Sequence, residues 1–168
     1  MRTSGEAPGS YPITRRTLMT TIEESIEIEV PVSTAYNQWT QFETFPQFMD
    51  GIERVEQKDD KHLHWTAEIG GDKREWDAEI TEQHPDHRVA WRALDQDGPN
   101  GVVTFHKLDE GRTKVMVQME YEPEGLTESI GSFVGMDNRR VKGDLASFKD
   151  YIEGRAHETG AWRGNIDE

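Results

Sequence analysis

The sequence predicts an α+β fold: a curved, seven-stranded antiparallel sheet packed on a long C-terminal helix, with two short helices after the first strand. Three observations carry this. Between Asn138 and Arg155, the residues Val141, Leu145, Phe148 and Ile152 recur at helical spacing and make one apolar face. Upstream, short segments alternate apolar and polar residues, which is the period of a strand with one buried face. Brief turns join those segments, as they join antiparallel neighbours. One apolar face per strand means a sheet covered on one side, and the C-terminal helix is the only element large enough to cover it.

In chain order, residues 1–20 carry Gly5, Pro8, Gly9, Ser10 and Pro12 without periodicity and are expected to form a disordered tail, with Met19 an alternative start. Ile26, Ile28 and Val30 alternate with Glu27 and Glu29 as the first strand, which Pro31 ends. Ser33 is placed to cap a short helix over 34–41 that carries Ala35, Tyr36 and Trp39. A second short segment, 43–49, is interrupted by Pro46 and holds the densest run of large apolar groups: Phe42, Phe45, Phe48 and Met49. Six strands follow. Ile52 and Val55 mark a weak one. Leu63, Trp65, Ala67 and Ile69 mark the next, which turns at Gly70-Gly71-Asp72 into Arg74, Trp76, Ala78 and Ile80. After His84-Pro85-Asp86 come Val89, Trp91 and Ala93, then Val103 and Phe105, then Val115, Val117, Met119 and Tyr121. In the final helix Lys142, Asp144, Lys149, Asp150 and Glu153 are assigned to the solvated faces, and Gly154 ends it. Weaker helical spacing precedes it through Leu126, Ile130, Phe133 and Val134, interrupted by Gly131 and Gly135, where a bend is expected. The expected division is a tail over 1–20, one domain over 21–156 and a C-terminal tail over 157–168.

Composition excludes several functions. The net charge of −14 argues against nucleic acid, whose phosphates need a Lys/Arg surface, and against docking on anionic lipid. There is no Cys, which removes disulfides, thiolate zinc sites and Cys nucleophiles. No apolar run is long enough to span a bilayer. Thr14-Arg15-Arg16-Thr17-Leu18-Met19 has the look of a twin-arginine export signal. The polar, acidic Thr21-Ile22-Glu23-Glu24-Ser25 follows where an apolar stretch is needed, so a cytoplasmic location is expected. Gly70-Gly71 belongs to a hairpin rather than a phosphate loop, and no cofactor is expected.

Several stretches together resemble the START-like SRPBCC superfamily, in its polyketide cyclase/dehydrase and coenzyme Q-binding branch. They are the run from Ile26 to Tyr36 followed by Trp39, the segment Phe45-Pro46-Gln47-Phe48-Met49, the hairpin arms Trp65 to Gly71 and Arg74 to Ile80, and the closing helix Val141 to Ile152. The resemblance spans residues 22–155 and implies a helix-grip fold, in which the curved sheet wraps the long helix around an internal cavity. It also implies that the cavity holds a hydrophobic small molecule, lipid-, quinone- or polyketide-like, or that the protein is a polyketide aromatase/cyclase or dehydratase.

Strand register points Trp65, Trp76, Trp91, Phe105 and Met119 inward, with Phe45, Phe48, Phe133 and Met136 expected at the cavity mouth. Ordinary core packing is the competing reading for each. Proton transfer beside a carbonyl would need a polar group in the cavity, and Tyr121 and Arg74 share register with the apolar faces of their strands. His62 and His64 project from one strand face and His106 could join them, but they alternate with the inward set, so they are read as solvated and no metal site is expected.

Overall fold

A computed structural model describes residues 20–69, 71–94, 99–121, 138–155 and 157–167. The alternating segments form seven strands: β1 (Thr20–Ile28), β2 (Ile52–Gln57), β3 (His62–Ile69), β4 (Asp72–His84), β5 (Arg88–Ala93), β6 (Asn100–Asp109) and β7 (Arg112–Tyr121). They make one sheet in the order β1-β7-β6-β5-β4-β3-β2, and every pairing is antiparallel. Register shifts at Ile52/Arg54, Ile80/Glu82 and Lys107/Asp109 each add a residue to one side of a ladder and bend it. β1 is longer than its clearest alternation, because Ile22, 1% exposed, extends the inward set upstream.

Between β1 and β2 the chain forms helix α1 (Val32–Trp39) and a 3-10 helix (Phe42–Gln47). Pro31, not Ser33, holds the N-cap position of α1, without a side-chain cap bond, because its extended backbone turns the chain at the end of the strand. Pro46 lies inside the 3-10 helix and lacks the N–H that a longer helix would need. Helix α2 (Asn138–Glu153) buries Val141, Leu145, Phe148 and Ile152 against the concave face of the sheet. Phe148 sits at the centre, 5.1 Å from the ring of Trp39 and 5.2 Å from that of Phe48. At the start of α2, Asn138 Nδ2 donates to Glu24 Oε2 at 2.7 Å and ties the helix to β1. The weak helical spacing upstream of α2 and residues 1–19 of the expected tail fall outside the described residues.

Residues 157–167 run back over the polar side of α1. Glu158 Oε2 accepts from Asn37 Nδ2 at 3.0 Å, and the Thr159 amide donates to Gln38 Oε1 at 2.9 Å. The Trp162 amide donates to Thr40 Oγ1 at 3.1 Å. Arg163 donates to Asn37 Oδ1 at 2.6 Å and to Asp86 Oδ2 at 2.8 Å, with its guanidinium over the ring of Tyr36. Ile166 then pairs with Gln83 in an antiparallel bridge and is buried. These contacts satisfy polar groups of α1 that would otherwise be buried without partners.

Candidate functional site: a tryptophan-walled cavity

Between the concave face of the sheet and α2 lies a cavity of about 100 Å³. At ~10–15 Å³ per water on this measure, it is a narrow space with room for several waters. Its walls follow from the period of each element. On β3 and β4, Trp65 and Trp76 are cross-strand partners, and their rings stack in parallel with centroids 5.9 Å apart. Trp91 on β5 pairs with Gly101 on β6, and the ring packs against the glycine. A Cβ on Gly101 would come within 2.5 Å of Trp91 Cζ2, so only glycine admits this ring position. Met119 pairs with Gly101 from the other side and continues the wall on β7. The 3-10 helix closes one end with Phe42 and Phe45, and Trp39 reaches in from α1.

The α2 wall brings Val141 and Leu145, and between them Asp144. Asp144 does not stand on the solvated face expected for it. Its charge suggests a solvated face, but it stands three residues after Val141 and four before Phe148, both buried, and so shares their side of the helix. Burial pushes its carboxyl up to about 7. The Arg140 guanidinium and the Asp50 backbone amide pull in the opposite direction, and the Asp50 charge adds to the rise. Arg140 is itself held by the neighbouring turn. Its Nη1 donates to the Asp50 carbonyl at 2.7 Å and lies 2.8 Å from where a Cβ on Gly51 would stand. Gly51 has φ +93, so the tight turn at the cavity end needs glycine for conformation as well as for space.

Five of the residues expected to face inward line this cavity: Phe45, Trp65, Trp76, Trp91 and Met119. Phe105 does not. It is on the same inner face but buried edge-on to Tyr36 and Trp39, in the part of that face that α1 covers. Phe48 also turns away, because the Pro46 turn directs it between Phe148 and Tyr151, along an outer groove beside α2. Phe133 and Met136 lie outside the described residues. Arg74 is half-buried on the inward side of β4, two cross-strand pairs from the stacked tryptophans, but does not border the cavity. Tyr121 ends β7 opposite Thr20, and its side chain is outside the described residues. On the outer face, His64 Nδ1 contacts Asp77 Oδ1 at 2.7 Å and Nε2 contacts Glu75 Oε1 at 3.0 Å. Those carboxylates raise its pKa and engage both ring nitrogens. Among the described residues, no helix is long and apolar enough to cross a membrane.

Comparison with known proteins gives a consistent set of matches. Residues 28–149 match the family described as polyketide cyclase/dehydrase and lipid transport. Over 149 residues the chain is 56% identical to an uncharacterized 17.2 kDa protein of Streptomyces lincolnensis from the melC2–rnhH intergenic region, which covers 88% of this chain and 99% of that protein. Among solved structures, the Zhui aromatase/cyclase of a Streptomyces species superposes with a TM-score of 0.67 at 15% identity, covering 86% of this chain and 99% of that one. A START superfamily protein of Mycobacterium smegmatis superposes at 0.64 with 12% identity, covering 80% and 97%. At such identities these two establish the START-like helix-grip fold and nothing finer.

Proposed function

We propose a function from one premise, that the chain belongs to the polyketide cyclase/dehydrase and lipid transport family: it binds a flat, hydrophobic small molecule, lipid-, quinone- or polyketide-like, between the sheet and α2. The observation that carries this reading is a narrow cavity walled by Trp39, Trp65, Trp76 and Trp91, with one carboxyl group among the described residues, Asp144, in the wall. Aromatic walls favour a planar guest, which stacks or packs edge-on against them while its own apolar surface leaves water. The test is titration with the neutral fluorophore N-phenyl-1-naphthylamine, together with native mass spectrometry of the freshly purified protein. Saturable binding that quenches tryptophan emission, or a co-purifying small molecule, is expected. No saturable binding and only the mass of the bare chain would remove the reading.

Asp144 favours a second reading, an aromatase/cyclase or dehydratase. A carboxyl group that titrates near 7 is present in both forms at neutral pH. Its carboxylate could take a proton from the carbon between two ketones, leaving an enolate, and the acid so formed could return that proton to carbon or to a departing oxygen. Deuterium incorporation into benzoylacetone in D₂O, followed by NMR, tests this. Catalysed exchange that is lost in Asp144→Asn supports the enzyme reading, and exchange at the background rate in the wild type leaves binding alone.

A further inference from the structure

The cavity wall contains a hydrogen-bond donor with nothing to donate to. Trp65 Nε1 is buried and has no hydrogen-bond partner among the described residues. Its surroundings explain why. Trp76 covers one face of the indole in the parallel stack, and Phe45 leans on it with ring centroids 5.8 Å apart. Neither ring offers a conventional acceptor. An indole N–H can only donate, and buried donors in native proteins are paired in the great majority of cases. Other unpartnered buried atoms lie elsewhere. Tyr36 Oη and Gln83 Nε2 belong to the polar region under the C-terminal segment, and neither Tyr36 nor Asp86 borders the cavity.

We propose that the Trp65 indole N–H is a ligand anchor, so that the cavity selects a neutral, apolar molecule carrying a hydrogen-bond-accepting oxygen, such as an aryl ketone, over the same molecule without that oxygen. This rests on the binding function proposed above and gives it a polarity. The partner must be an acceptor because the indole nitrogen has no lone pair to offer. It must be neutral because, among the described residues, no basic side chain borders the cavity to pair an anion, and apart from Asp144 the lining is apolar. A ligand lacking the oxygen leaves the donor unpaired in the complex. A ligand supplying it gains a hydrogen bond in a site whose lining is otherwise almost wholly apolar.

The experiment displaces N-phenyl-1-naphthylamine from the full chain with two planar near-isosteres, 2-acetylnaphthalene and 2-isopropenylnaphthalene. The ketone is expected to bind about tenfold more tightly to the wild type, the range of one well-placed hydrogen bond. In Trp65→Phe, which keeps an aromatic ring and loses the N–H, both affinities are expected to fall with the lost wall area, while the preference for the ketone over the hydrocarbon should fall to about twofold or less. A second measurement does not depend on the variant folding: the Trp65 indole ¹H–¹⁵N resonance of the wild type should move downfield with the ketone and not with the alkene. Equal affinity of the wild type for both compounds, a preference that survives Trp65→Phe, or an indole resonance indifferent to the ketone would each overturn the anchor while leaving the cavity reading intact. Failure of every probe to bind would overturn both.

Discussion

Asp144→Asn should make the protein more stable, and the gain should depend on pH in a way that identifies its cause. The folded state holds the Asp144 carboxyl at about 7, against 3.8 for the unperturbed group. Because the folded value is raised, the fold gains most from Asp144 when it is protonated. That contribution is fully present below about pH 4 and is lost as pH rises to 7, above which the deficit is constant. A displacement of this size corresponds to roughly 4 kcal/mol at about 1.4 kcal/mol per pKa unit. The group is only half-buried, so solvent screening halves this to about 2 kcal/mol at pH 8. At pH 5 the same reasoning leaves less than about 1 kcal/mol. Asparagine keeps the shape and can still accept from the Asp50 amide, while the modest attraction of Arg140 is lost. At ~2–4 °C per kcal/mol for a chain of this size, Asp144→Asn should melt about 4–8 °C above wild type at pH 8 and only about 1–3 °C above it at pH 5. Differential scanning calorimetry across pH 5–8.5 reads this directly. A difference independent of pH, or a less stable variant at pH 8, would refute a carboxyl held neutral by burial.

Two further outcomes follow from the packing. Phe148 is fully buried between Trp39 and Phe48, so Phe148→Ala should cost ~3–5 kcal/mol, seen as a lower urea midpoint at unchanged slope. Arg163 links the C-terminal segment to Asn37 and Asp86 at once, so Arg163→Ala should cost about 1–2 kcal/mol. In hydrogen exchange, the amides of Ile166 and Gln83 should then lose protection before those of the β3–β4 ladder.

The sheet and the closing helix were legible because periodicity reports burial directly. Leu63, Trp65 and Ala67 alternate with exposed or half-exposed neighbours, and the stripe from Val141 to Ile152 is buried at each of its four members. Asp144 was misplaced by the same logic, since a charge outranks position when residues are sorted into faces. Its register, in line with Val141 and Phe148, was the signal available. Phe105 and Phe48 were legible as buried groups but not as groups outside the cavity, because register fixes the face of a strand and not which element covers it. The C-terminal segment carries no apolar period at all. It is held by backbone and side-chain hydrogen bonds to Asn37, Gln38 and Thr40, and such pairing leaves no trace in hydropathy. The close approach of Trp91 to Gly101 depends on a partner one strand away, and only a known strand pairing reveals it.

The pairing of β1 with β7 has a consequence for how the protein is made. Thr20 meets Tyr121 and Ile28 meets Thr113, so the first strand to leave the ribosome waits for the last. Every other rung of the sheet joins strands adjacent in sequence and can zip as it emerges. At roughly 10 residues per second, β1 spends on the order of ten seconds with neither edge paired. Glu23, Glu27 and Glu29, in and beside that strand, carry like charges, which oppose its pairing with a second copy of itself both before β7 arrives and along the edge that β1 keeps in the finished sheet.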